Sequence, residues 1–288
     1  MRSYLTVIVL CVVALGTRAA VPAQHSLATD PVPDAKHPAS LEVLHIPSGG
    51  VEIYGIAYTP PGSGPHPIAV FCHGMPGNEK NLDLAQAARR AGWVAVYFNY
   101  RGSWGAAGPY SPAGAIDDTE AVLTYLRDAE HATFLHADPS RIVLIGHSFG
   151  GNVVVTTAAR DRGLKGIVMI SAGDMERIAD APPAARLAFA ETAIDGLADM
   201  TPQKLVDELM RDKDVLSFKT ATPRLVDTPL LALYSDDGLA AHTTDLVAGI
   251  RAAGGHKVTA LHVATDHSWS DRRVLLQTTV LDWINRLR

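Results

Sequence analysis

The segment that most constrains the fold of this chain is G-H-S-F-G at residues 146–150, which centres on Ser148. A short apolar run at residues 141–145 precedes it and is typical of a buried strand, and residues 150–155 follow it with the pattern of a helix. The pentapeptide therefore predicts a tight strand-to-helix turn, in which only small residues fit beside the serine. Such a turn exposes the Ser148 hydroxyl at a helix N-terminus, where the helix dipole favours developing negative charge.

Strand-like and helix-like segments alternate along the rest of the chain. Residues 41–46 and 51–58 flank a Pro-Ser-Gly-Gly turn and predict a hairpin. Six further strands are predicted at residues 68–72, 94–100, 141–147, 166–171, 229–235 and 258–264. Helices are predicted at residues 81–91, 112–129, 150–160, 241–253 and 271–287. The alternation predicts the α/β class, with an eight-stranded, mostly parallel sheet covered by helices on both faces.

Residues from about 175 to 218 interrupt this alternation. They are rich in alanine and helical in pattern, and proline near residues 182 and 202 marks helix starts. We expect them to form a small helical cap over the carboxyl edge of the sheet, where ligands bind in open α/β folds. The sequence thus predicts one domain over residues 41–288, preceded by a flexible lead-in at residues 24–40.

The N-terminus has the pattern of an export signal. Arg2 supplies positive charge, residues 5–16 are apolar, and small residues follow. Residues 1–23 are therefore predicted to be a signal peptide, which implies a secreted or periplasmic protein with no stable membrane association after cleavage. An uncleaved anchor is the alternative. Only Cys72 would remain in the mature chain, at the end of an apolar strand, where a buried structural thiol is expected.

A serine hydroxyl becomes a good nucleophile only when a neighbouring base takes its proton. His267 follows the last predicted strand on a loop that can reach the sheet edge, whereas the alternative, His262, lies within that strand. An acid must then orient the base. The strand at residues 229–235 ends in Asp236 and Asp237, and we expect Asp237 to be the partner, with Asp236 as the alternative.

The same edge offers hydrogen-bond donors for an oxyanion. The N–H groups of Phe149, next to the serine, and of Met75, in the loop after the third strand, are the candidates, because the following Pro76 has no N–H. Trp104 and Trp269 lie beside the predicted site and are the candidate substrate-binding residues. Buried packing is the alternative for Trp104, and a plug in place of a pocket wall is the alternative for Trp269.

Three motifs together resemble the α/β-hydrolase superfamily. They are H-G-x-P-G starting at His73, N-Y-R-G starting at Asn99, and the G-H-S-F-G-G segment around Ser148. Within the superfamily the chain is similar to the dienelactone-hydrolase and prolyl-oligopeptidase-like branch, over about residues 41–288. The chain departs from dienelactone hydrolases proper at Ser148, since those enzymes use a cysteine nucleophile.

The resemblance implies the α/β-hydrolase fold and a catalytic triad of Ser148, Asp237 and His267. It also implies that Met75 and Phe149 supply the oxyanion donors, a role also indicated by their positions beside the serine and in the loop after the third strand.

Hydrolysis of carboxylic esters with small or medium acyl groups is the expected activity, with a small-molecule ester as substrate and no cofactor. A serine peptidase or amidase is the first alternative, and a non-catalytic binding protein on the same fold is the second. Nucleic acid is not an expected partner, because the net charge is −5 and no Lys/Arg-rich run occurs. No metal is expected either, since no H-E-x-x-H or paired-cysteine motif is present.

Overall fold

A computed structural model describes residues 27–288, so the predicted signal peptide lies outside the described residues. One sheet of eight strands forms the centre of this part of the chain, in the order β1-β2-β4-β3-β5-β6-β7-β8. The strands are β1 Ser40–Ser48, β2 Val51–Thr59, β3 His66–Cys72, β4 Val94–Phe98, β5 Ala137–His147, β6 Gly166–Ile170, β7 Leu230–Tyr234 and β8 Val258–His262. Strands β1 and β2 are antiparallel, β2 is antiparallel to β4, and all other neighbours are parallel. The predicted eight-stranded, mostly parallel sheet is confirmed.

Burial follows from the position of each strand in the sheet. In β1, buried and exposed residues alternate from Val43 to Ser48, because one face of this edge strand meets water. The residues of β4 and β6 are all buried, as expected for parallel strands covered on both faces. The opposite edge strand, β8, is largely exposed, which explains why His262 has a solvent-accessible side chain.

Helices cover both faces of the sheet. Helix α1 (Leu82–Arg90) and helix α10 (Arg273–Asn285) pack on one face, around Trp93 and Trp283. The opposite face carries α2 (Pro112–Arg127), α4 (Phe149–Arg160) and α9 (Ala240–Ala252). A short helix α3 (Ala129–Phe134) follows α2, whereas the sequence predicted a single helix that ends at residue 129. The break occurs at Asp128, whose extended backbone ends α2 and whose carboxylate accepts hydrogen bonds from the first N–H groups of α3.

The predicted cap consists of four helices and a short 3₁₀ turn. The helices are α5 Met175–Ala179, α6 Pro183–Ala193, α7 Pro202–Arg211 and α8 Phe218–Ala221, and the turn is Thr222–Arg224. The cap contacts the loop after β4, because the Trp104 N–H donates to the Gly196 carbonyl over 2.8 Å and Ser103 pairs with Leu197. That loop lies at the carboxyl edge of the sheet, so the cap contacts this edge, and its last helix and turn extend beyond the predicted end near residue 218.

The described part of the lead-in, residues 27–39, lies against the body of the protein. The Gly62 N–H donates to the His37 carbonyl over 2.9 Å, and Leu27 packs against the apolar cluster on the α1 side of the sheet. A search of the described residues finds no helix with the length and apolar character of a membrane span.

Candidate active site

Ser148 sits in a strained turn between β5 and α4. Its backbone has φ 57° and ψ −123°, a conformation that costs free energy for any residue other than glycine. The turn closes so tightly that a Cβ at Gly146 would lie 2.0 Å from the Gly150 carbonyl oxygen. The Ser148 N–H donates to the Ile170 carbonyl over 2.9 Å, which ties the turn to β6. The sequence thus places the serine at the N-terminus of α4, as predicted.

His267 and Asp237 form a hydrogen-bonded pair at the same edge. The distance from His267 Nδ1 to Asp237 Oδ2 is 2.8 Å, and the aspartate side chain is only 3% exposed. Burial by itself raises the pKa of this carboxyl, but hydrogen bonds from the imidazole and from the Leu239 N–H outweigh it and lower the pKa to about 2. Asp237 is therefore ionised at neutral pH and can hold the imidazole with its other nitrogen, Nε2, directed away from the carboxylate.

The alternative residues form a separate pair. His262 Nε2 lies 2.7 Å from Asp236 Oδ1, and both side chains are exposed on the outside of the sheet edge. The two acids and two histidines thus form two separate pairs. The His262–Asp236 pair is exposed, and the His267–Asp237 pair, which includes the histidine on the loop, is half-buried.

His147 connects the serine turn to the loop that carries His267. Its Nε2 donates to the His267 backbone carbonyl over 2.8 Å, and the two imidazole rings lie 4.8 Å apart. Burial, together with the nearby His267, lowers the pKa of His147 to about 4, so its side chain is neutral near pH 7. The sequence analysis did not identify this residue, because a contact across 120 positions leaves no local pattern.

The loop after β3 packs against the serine. A Cβ at Gly74 would lie 3.1 Å from Ser148 Cβ and 3.5 Å from its Oγ, so the loop backbone borders the nucleophile directly. The next residue, Met75, is buried, and neither its N–H nor that of Phe149 donates a hydrogen bond to any residue in the range 27–288. Two such unused N–H groups beside a hydroxyl can bind an oxyanion.

The alpha/beta hydrolase family profile matches residues 69–283, which include the serine turn, the His267–Asp237 pair and most of the sheet. The chain belongs to the alpha/beta hydrolase family.

Two curated relatives match part of this alpha/beta hydrolase. An uncharacterised 31.7 kDa protein from the traX-finO intergenic region of Escherichia coli is 36% identical over 122 residues, which are 40% of this chain and 41% of the relative. The quorum-quenching protein AidA of Acinetobacter baumannii is 28% identical over 128 residues, 42% of this chain and 40% of the relative. Each match spans about two fifths of the relative's length.

Solved structures of other proteins share the fold. The carboxylesterase EstE1 from a metagenomic library has a TM-score of 0.67 at 19% identity, covering 87% of this chain and 90% of that one. An esterase of Pyrobaculum calidifontis gives 0.65 at 20% identity, with 88% and 87% covered. The acylaminoacyl peptidase of Pyrococcus horikoshii gives 0.64 at 18% identity, covering 85% of this chain and 41% of the peptidase.

The two tryptophans predicted to bind substrate differ in this alpha/beta hydrolase. Trp104 is 36% exposed at the carboxyl edge, and its indole N–H donates to the Pro76 carbonyl over 2.6 Å. Trp269 is 1% exposed and donates to Ser171 Oγ over 3.0 Å, so it packs in the core beneath the His267 loop. The burial of Trp269 contradicts the prediction that it is a wall of the substrate pocket.

Two further polar side chains, at the end of β3 and just after it, are buried. His73 is buried, its Nδ1 donates to the Gly74 carbonyl over 2.7 Å, and burial lowers its pKa to about 4. Cys72 is a buried free thiol whose pKa is raised to about 12 by burial, which makes it a poor nucleophile.

Within residues 27–288, no group of three or more histidine, cysteine or acidic side chains is arranged to hold a metal ion.

Proposed function

We propose that this alpha/beta hydrolase cleaves carboxylic esters of small or medium acyl groups through an acyl-enzyme. Ser148 is the nucleophile, His267 the general base and Asp237 the acid that orients the base. The observation that carries the proposal is the 2.8 Å hydrogen bond between His267 and the buried, ionised Asp237. His267 lies on a loop whose backbone is hydrogen-bonded to His147, the residue before Ser148 in its strained turn. A histidine with only a structural role does not need both an ionised, buried carboxylate partner and a loop tied to a strained serine turn.

The proposed reaction has two halves. His267 Nε2 takes the proton of Ser148 Oγ as the oxygen attacks the ester carbonyl, and the negative charge that develops on the carbonyl oxygen is stabilised by the N–H groups of Met75 and Phe149. His267 then returns the proton to the leaving alcohol. In the second half, a water molecule loses a proton to the same imidazole and releases the acid, which restores Ser148.

Two observations support an ester of a small or medium acyl group as the proposed substrate. Two of the structural relatives are esterases. The cap is short, four helices of 4 to 11 residues, which fits a small or medium acyl group better than a long lipid chain. The acylaminoacyl peptidase among the relatives makes amide cleavage the alternative outcome.

A fluorophosphonate probe and matched substrates test the proposal. The wild-type protein should be labelled and should hydrolyse p-nitrophenyl acetate and butyrate faster than aminoacyl nitroanilides. Ser148→Ala should lose labelling and lower kcat more than about 10³-fold. Ser140→Ala, at the opposite end of β5 with an exposed side chain, is the matched control and should behave as wild type. Equal labelling of Ser148→Ala would refute the nucleophile, and faster nitroanilide cleavage would favour the peptidase.

A further inference from the structure

Lys80 is a cation at the edge of the site that the proposed mechanism does not use. Its Nζ lies 4.8 Å from the centroid of the Trp104 ring and 5.6 Å from that of Tyr97. No carboxylate of the described chain lies within ion-pair distance of this ammonium, although the protein carries a net negative charge. The aromatic rings thus hold the charge in place without neutralising it.

The two nearest acidic residues along the chain are engaged elsewhere. Glu79 accepts a hydrogen bond from the Asn81 N–H over 2.6 Å and lies 3.8 Å from Arg273. Asp83 is bonded to the Arg273 guanidinium, to Gln277 and to the Leu84 N–H. Because these carboxylates share Arg273 between them, the Lys80 ammonium keeps its three donors for another partner.

Lys80 faces a cavity that extends to the loop of the proposed base. The cavity has a volume of about 500 Å³ and is lined by residues 78–83 on one side and by Ser268, Ser270 and Arg273 on the other. Ser268 directly follows His267. On the opposite side, the Trp104 indole that supports Lys80 is bonded to the Pro76 carbonyl, next to the oxyanion donor Met75. The ammonium therefore shares a cavity with residues of the His267 loop and contacts an indole that is bonded to the loop of Met75.

We propose that Lys80 binds a carboxylate on the substrate, so that the preferred substrates are esters bearing a carboxylate apart from the scissile bond. This inference rests on the proposed esterase function and narrows its substrate class. A carboxylate suits the site because it accepts charge-assisted hydrogen bonds from an ammonium that the aromatic rings already hold in position. Trp104 then acts as a support for the cation as well as a wall of the site.

Matched pairs of esters test this inference for both halves of the substrate. On the acyl side, p-nitrophenyl hydrogen glutarate is compared with p-nitrophenyl pentanoate. On the alcohol side, 4-acetoxybenzoate is compared with its methyl ester. For each pair the ratio of kcat/KM for the charged ester to that for the neutral ester is measured in wild type and in variants, so that intrinsic reactivity cancels.

Lys80→Met should lower this ratio about fivefold in at least one pair, as expected for a partly exposed charge pair, and leave hydrolysis of the neutral ester nearly unchanged. Lys80→Arg should restore most of the ratio. Lys257→Met, which removes a lysine bonded to the Asp227 carbonyl, is the matched control and should leave both ratios unchanged. Unchanged ratios in Lys80→Met for both pairs would overturn the inference.

Failure of the esterase proposal gives a different result. If wild type hydrolyses none of the four esters, that proposal fails, and the carboxylate site is tested by calorimetric titration of glutarate into Ser148→Ala and Ser148→Ala/Lys80→Met. Binding that weakens about fivefold in the double variant supports the site. Equal binding in the two variants, or no binding in either, refutes it.

Discussion

At the scale of single residues, the side chain of His147 joins the two loops that the proposed reaction must bring together. Its ring is buried and donates one hydrogen bond, to the backbone of His267. That bond ties the backbone of the His267 loop to the residue directly before Ser148. A displacement of the base by about 1 Å can cost about 100-fold in rate, because the reacting atoms no longer meet.

Replacing His147 therefore tests whether it is a positioning residue. His147→Leu should lower kcat about 10- to 100-fold with little change in KM, because the His267 carbonyl loses its donor. His147→Gln places an amide N–H close to the position of Nε2 and should recover most of kcat. Ester kinetics and the midpoint of thermal unfolding should be measured for both. Equal kcat in the two variants, at equal stability, would show that the hydrogen bond does not position the base.

The residues of the proposed triad could be predicted from the sequence because each follows a strand, and parallel strands end at one edge of a sheet. Ser148, Asp237 and His267 were identified in this way, and the structure bonds the last two. Trp269 was misassigned because proximity in sequence to His267 does not say which way a side chain points. The indole turns inward to Ser171, a contact across 98 positions.

At the scale of secondary structure elements, the position of α4 depends on glycines at its start. A Cβ at Gly150 would lie 2.0 Å from the Cys72 carbonyl oxygen and 2.7 Å from that of His73, both backbone atoms of β3 or the loop after it. No side chain can move aside to relieve this contact, so any larger residue must push the helix, and Ser148 with it, away from the sheet.

Gly150→Ala should consequently destabilise the protein by about 3 kcal/mol, in the upper range for overpacking. Gly249→Ala, within helix α9, is the matched control: its Cβ would meet only the Thr222 side chain at 3.2 Å, and alanine favours the helix by about 1 kcal/mol. Urea unfolding should place the control within about 1 kcal/mol of wild type. Similar unfolding free energies for the two variants would contradict the close packing inferred between α4 and β3.

The elements were predictable where local pattern decides them. Strand and helix positions followed from apolar periodicity and from glycine and proline at their ends. Helix α3 was missed because its separation from α2 rests on the backbone angle of one residue, Asp128. The order of the strands in the sheet could not be predicted from the sequence either. Strand β4 lies between β2 and β3, and this pairing is decided by long-range packing.

At the scale of the whole molecule, two buried histidines should make the folded state sensitive to acid. His73 and His147 are 2% and 5% exposed, and burial lowers the pKa of each from 6.5 to about 4. In the unfolded chain both would be protonated below about pH 6.5, whereas in the folded state they remain neutral until about pH 4. The unfolded state therefore binds more protons in this interval, and acid shifts the equilibrium toward it.

The free energy of unfolding should thus fall as the pH drops from about 6.5 to about 4, with each histidine contributing on the order of 3 kcal/mol across the interval. Urea unfolding of wild type and His147→Gln at several pH values measures this directly. Because glutamine does not titrate, the slope of the unfolding free energy against pH should correspond to about one proton fewer in the variant than in wild type. The carboxylates contribute equally to the slopes of both proteins, so their contribution cancels in the difference. An identical pH dependence in the two proteins would mean that the pKa of His147 is the same in the folded and unfolded states, and would contradict the lowering of that pKa by burial. The ring would then become charged below about pH 6.5, where it would repel the imidazolium that the proposed reaction forms at His267.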